Sequence, residues 1–137
     1  MSSVQTTGRF RFADWTEGPV GPADALPRLA EASVRNTFTG GIEAVGTHCR
    51  YTLTYLGETS GAFAGLELLA GTLDGRKGAF VLSEHGTFDA QGTHCTIEVV
   101  PGSGTGELTG LRGTGHFFSP HSPESVAYTF EYELPEG

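Results

Sequence analysis

The chain has 137 residues and a formal net charge of −8, with 16 acidic against 8 basic side chains. That length, with 37 % hydrophobic and 18 % charged residues, suits one domain spanning 1–137 with a core of its own. Eight scattered Lys and Arg cannot build the clustered positive surface that nucleic acid or an anionic lipid surface requires, so neither is expected as a partner. The N-terminus shows no basic segment followed by an apolar core, and no apolar run approaches the ~20 residues that span a membrane. Two cysteines are too few for a disulfide framework. A cytoplasmic protein with reduced thiols is the expectation.

In chain order, period-two alternation between turn residues predicts strands near Thr6–Asp14, Ala32–Thr39, Gly46–Leu56, Ala62–Leu73, Gly78–Phe88, Gly92–Val100, Gly110–Phe118 and Ser125–Leu134. The segment Pro22–Ser33 is rich in Ala and Leu but interrupted by Pro27, and reads as a loop or a short helical turn. Asp74-Gly75 is a tight hairpin turn, and Leu56–Gly61 and Asp89–Gly92 are further turns. Glycine is abundant, at 21 residues, which suits the bulges and corners of an all-β protein. The expected fold is therefore all-β: a single antiparallel barrel of roughly eight strands, wide enough inside for side chains or one small ligand.

The stretch Val99–Gly115 looks like a phosphate loop but contains no lysine and no Gly-x-Gly-x-x-Gly register. It reads instead as a tight link between strands. Its core, Pro101–Leu108 followed by Gly110-Leu-Arg-Gly113, resembles the bacterial DUF3224 family. Phe63-Ala-Gly-Leu-Glu67 and Gly78–Leu82 with Gly86-Thr-Phe88 carry the same resemblance, which covers about Gly8 to Leu134. It implies a small barrel similar to the allene oxide cyclases, relatives of dirigent proteins and some polyketide cyclases. In such barrels an apolar cavity folds a reactive small molecule without a cofactor. The resemblance assigns no catalytic residue.

Three constellations remain. His48-Cys49 and His94-Cys95 together are a zinc-type set. Adjacent strand residues point to opposite faces, however, so Val45, Cys49, Tyr51, Leu53 and Tyr55 share one face and His48, Arg50, Thr52 and Thr54 the other. The cysteines are expected inside and the histidines outside. No metal site is expected, and a Cys49–Cys95 disulfide stays open. Second, Glu67 lies on an apolar strip. A hairpin centred near Arg76 would set it opposite His85, making an acid–base pair at a cavity wall or an outward polar pair. Glu84 is the competing carboxylate if the other strand face points inward. Third, Trp15, Tyr51, Tyr55, Phe63, Phe88, Tyr128 and Phe130 would line a pocket for an apolar ligand or simply fill the core. Trp15, where the first strand ends, is placed at the barrel mouth.

Three functions follow as expectations: a cofactor-free cyclase or isomerase using Glu67 and His85, a noncatalytic carrier of an apolar small molecule, or a filled structural module. Exposed apolar positions on the outer strand faces suggest a homodimer.

Overall fold

The computed structural model describes residues 3–135, so the first and last two residues of the expected 1–137 domain lie outside the described residues. The elements in chain order are β1 (Val4–Val20), β2 (Arg28–Gly40), β3 (Ile42–Ala44), β4 (His48–Tyr55), β5 (Gly61–Leu73) and β6 (Arg76–Asp89). Then come β7 (Gly92–Val99), a 3-10 turn (Gly106–Leu108), β8 (Arg112–Pro120) and β9 (Val126–Glu133). From β4 to β9 each strand pairs antiparallel with the next. β9 then pairs with β1, β1 with β2, and β2 with β4, so the sheet closes on itself. The result is the expected eight-stranded antiparallel barrel, with β3 as a short extra strand between β2 and β5.

Three expectations about the chain are corrected. The strand β2 begins at Arg28, so the expected loop 22–33 is a loop only to Pro27. The reason is alternation: Ala30, Ala32 and Val34 are buried while Leu29, Glu31 and Ser33 are exposed, and small inward alanines satisfy a strand as well as a helix. Second, β1 does not stop near Trp15. Asp14 adopts a left-handed φ of 58°, the register with β2 slips between Ala13 and Thr16, and the strand continues to Val20. This bulge shifts the inward parity. Phe10 and Phe12 face the interior before it, and Trp15 and Glu17 face the interior after it. Third, the glycine-rich stretch is no tight link. It runs from Val100 to Leu111 alongside β6, with Thr105 N donating to Ala79 O and Ser103 Oγ accepting from Val81 N.

The interior has a packed half and a hollow half. Leu69, Leu73, Phe80, Leu82, Leu108 and Phe130 are at most 2 % exposed and close one end. Leu108 and Leu111 come from the glycine-rich connection and act as its plug. Tyr128 belongs to this half: its hydroxyl accepts from Ile42 N at 2.9 Å and lies 3.1 Å from Thr39 O. On the outside, Leu66 and Leu68 of β5 and Val45, which is 85 % exposed, leave an apolar strip in contact with water. Val45 precedes β4 and does not share the inward face of Cys49. Among the described residues no helix is long and apolar enough to cross a membrane.

Truncating the plugged end should be costly. Phe80→Ala is expected to destabilise the barrel by about 3–5 kcal/mol, because the rigid strands around it cannot collapse into the void. Urea denaturation measures this, and a loss below ~1 kcal/mol would mean that the half built on Phe80 is not closely packed.

Candidate functional site

At the other end of the barrel the walls part around a cavity of about 560 Å³. Its sides are apolar: Phe10, Val34, Leu53, Phe63, Phe88 and Phe117. Its rim is made by the turns after β4, β6 and β8, which contribute Glu58, Asp89 and His121, and by the far limb of β1, which contributes Trp15 and Glu17. Two polar side chains, Asn36 and Tyr51, also reach the cavity and are themselves buried, at 3 % and 9 % exposed.

Behind those two residues lie both candidate carboxylates. Glu67 is 1 % exposed and Glu84 is 2 % exposed. Asn36 Nδ2 donates to Glu67 Oε2 at 2.8 Å, and Thr47 Oγ1 donates to the same oxygen. Tyr51 donates its hydroxyl to Glu84 Oε1 at 2.6 Å, and Cys49 Sγ lies 4.0 Å from that oxygen. Asn36 Oδ1 is the one buried side-chain oxygen or nitrogen among the described residues without a partner. Buried polar atoms are almost always paired, so this orphan acceptor is an unmet demand close to the cavity.

The backbone explains why these groups meet. The two-residue turn Asp74-Gly75, with φ of 45° and 87°, sets Leu73 opposite Arg76. From there Gly65 falls opposite Glu84, and Glu67 opposite Leu82. Both glutamates thus share the inward face, two rungs apart on neighbouring strands. Gly65 is also opposite Tyr51 of β4. A Cβ at Gly65 would come within 2.7 Å of Tyr51 Cδ1 and 2.1 Å of Arg50 O. The missing side chain is what lets the tyrosine ring cross β5 and reach Glu84.

Two carboxyl groups this close in an apolar interior cannot both carry charge. Burial first, and the neighbouring Glu67 second, push the Glu84 carboxyl well above the usual range, against the smaller pull of the Tyr51 hydrogen bond. The shift favours the protonated form of Glu84. Burial, the largest cause, also raises the Tyr51 phenol and the Cys49 and Cys95 thiols, so all three stay protonated. Cys49, Glu67 and Glu84 offer one donor atom each within 4.8 Å of one another, a grouping a metal ion could use only by displacing those protons.

The placement of the sequence-derived candidates is mixed. Glu67 is inside, but His85 is not its neighbour. It lies opposite Ala64 and is exposed. The turn centre falls between Asp74 and Gly75 rather than near Arg76, and this odd register shift moves His85 to the outer face. The two faces were posed as alternatives for Glu67 and Glu84, yet both residues point in. Trp15, Tyr51, Tyr55, Phe63 and Phe88 line the cavity, whereas Tyr128 and Phe130 are core of the plugged end and do not. Cys49 and Cys95 are buried, free thiols, and His48 and His94 are exposed, as the pleat requires. Asn36 and Thr47 were not foreseen. Asn36 is a lone amide on the face of Ala30, Ala32, Val34 and Phe38, which was a legible signal. Thr47 precedes β4 but falls within the expected strand Gly46–Leu56 at the parity of Cys49 and Tyr51, so its inward position was legible too.

Comparison with known proteins agrees with this architecture. A family described as "Protein of unknown function (DUF3224)" matches residues 6–132. No curated protein matches. Among solved structures, a DUF3224-family protein of unknown function from Shewanella oneidensis MR-1, determined at 1.84 Å, is 28 % identical. It aligns over 98 % of this chain and 100 % of its own, with a TM-score of 0.81. The match spans all eight barrel strands, and the chain belongs to the DUF3224 family.

Proposed function

We propose that the hollow half of the barrel takes up an apolar small molecule and catalyses its isomerisation or cyclisation by proton transfer. The observation that carries this reading is the pair of buried glutamates behind the cavity wall. Burying two carboxyl groups costs several kcal/mol that apolar residues of like volume would avoid. A structural module gains nothing from that cost, and a plain carrier has no use for a proton held one hydrogen bond from its ligand.

The chemistry follows from the wiring. Tyr51 is the residue that both lines the cavity and bonds Glu84. A hydroxyl rotor can give its proton to a substrate oxygen or carbon and take the Glu84 proton in exchange. Glu84 is left as a carboxylate until that proton comes back, while Asn36 and Thr47 hold Glu67 in place beside it. The proton returns along the same path when the substrate loses one from another position, so an isomerisation needs no net acid. Asn36 lines the cavity and ties Glu67 to its wall. The apolar walls fix one folded shape of the substrate, which is the larger part of such catalysis. Trp15, Phe63 and Phe88 act as these walls, and His85 has no part in it.

Native mass spectrometry of the purified protein, followed by organic extraction, tests occupancy and names the chemical class. With that compound in hand, Tyr51→Phe and Glu84→Gln are expected to bind within a few-fold of wild type and to lose turnover by about a hundredfold or more. Binding with undiminished turnover in both variants would discard the proton relay. Binding without turnover in wild type would leave the carrier.

Glu84 also leaves a mark on stability. Its native pKa is raised, so its contribution is complete below the unfolded carboxyl value of about 4.3 and is lost as pH rises through the native value. Across that window wild type should lose about 1.4 kcal/mol per pH unit relative to Glu84→Gln, which keeps a neutral side chain throughout. Urea melts of both proteins from acid to mildly alkaline pH measure the difference, and parallel curves would mean that Glu84 is ionised in the folded barrel.

A further inference from the structure

The charge at the cavity is mainly acidic. Its acidic lining residues are Glu17, Glu58 and Asp89, His121 is the one basic residue of the lining, and neither Lys nor Arg lines it. The Arg28 guanidinium lies outside the lining and is stacked 3.8 Å from the centre of the Tyr55 ring, covering one of its faces. The acids stand among aromatic faces. Trp15 Nε1 donates to Glu17 Oε1 at 3.2 Å, the Tyr55 hydroxyl donates to Glu17 Oε2, and Phe12 and Phe88 stand beside them. Phe12 and Trp15 are each nearly half exposed, at 45 % and 46 %, which is unusual for rings that could have been buried. Acidic oxygens interleaved with open aromatic faces attract cations twice, through charge and through the ring quadrupole. The same arrangement repels a carboxylate or phosphate head.

From these observations we infer that the ligand is an apolar amine: a hydrocarbon or ring body in the cavity with a protonated or quaternary nitrogen at the aromatic, acidic mouth. A free fatty acid or acyl phosphate is disfavoured by the same charge. This inference deepens the proposed ligand-binding function and rests on it. Glu58 and Asp89 set the electrostatic preference, and Phe12 and Trp15 provide the open faces. Glu17 holds the Trp15 and Tyr55 rings in place through its two hydrogen bonds. No part of the inference depends on the proton held by Glu84.

The protein has a single tryptophan, and it stands at this mouth, so its fluorescence reports entry directly. The test titrates the full-length protein at low salt with three probes sharing one straight ten-carbon chain: decyltrimethylammonium, decanol and decanoate. The expected order is ammonium first, alcohol next and carboxylate last, with about a tenfold gap between the two ions that closes in high salt. Glu58→Gln should reduce ammonium binding several-fold and leave decanol unchanged. Decanoate binding as well as or better than the ammonium would overturn the inference while leaving the apolar cavity intact. So would ammonium binding that is indifferent to Glu58→Gln and to salt. Failure of all three probes to bind at millimolar concentration would overturn the inference together with the ligand-binding function it rests on.

Discussion

The ladder between β1 and β9, the two ends of the chain, is what turns this sheet into a barrel. Every other pairing is between strands that follow one another or lie around β3, and would exist in an open meander. β1 alone reaches both sides: its first half pairs with β9 from Val4 to Phe10, and its whole length from Gly8 onward pairs with β2. Closure removes the edges along which open sheets aggregate. It also creates an inside whose volume is set by strand number rather than by how well side chains fill it. The cavity exists because that volume is filled at one end only. Large side chains and the leucine plug occupy the end near the Asp74-Gly75 turn, and mainly aromatic walls face an open space at the other.

The same geometry makes the buried acids tolerable. In a packed core two carboxyl groups would have to be matched by bulky partners. Here each is held from one side by a group on β2, β4 or the segment just before β4, and burial favours the neutral form of Glu84. Gly65 is central to this. By offering no side chain opposite Tyr51 and Glu84, it opens a passage across β5 that a larger residue would fill with a clash against backbone. The site therefore depends on a residue with no chemistry of its own.

Much of the architecture was legible because alternation reports burial directly. The strands β4, β7 and β9 carry clean period-two patterns, and their inward faces are those expected for Cys49–Tyr55, Cys95–Val99 and Val126–Tyr132. The reading failed where that signal is absent. β5 is apolar on both faces, with Ala64, Leu66 and Leu68 outside and Phe63 and Leu69 inside, so parity had to come from the turn. Misjudging the turn centre then displaced His85 from the candidate pair. The bulge at Asp14 was illegible for a related reason: a single non-glycine residue at positive φ leaves no mark in composition, yet it decides that Trp15 and Glu17 face inward. Tyr128 and Phe130 had the right alternation, but alternation cannot tell which end of a barrel is hollow.

The leucine plug has one further consequence. A chamber sealed at its base is a cul-de-sac, and traffic through it is single file. Under the proposed function, water leaving, ligand arriving and product departing would share the doorway between Trp15 and the β6–β7 and β8–β9 turns. A product that differed from its substrate only in ring closure or double-bond position would keep nearly all of the substrate's hold on the walls. Such a product would be evicted slowly, and occupancy of the chamber would then be governed by whatever consumes the product outside rather than by the chemistry within.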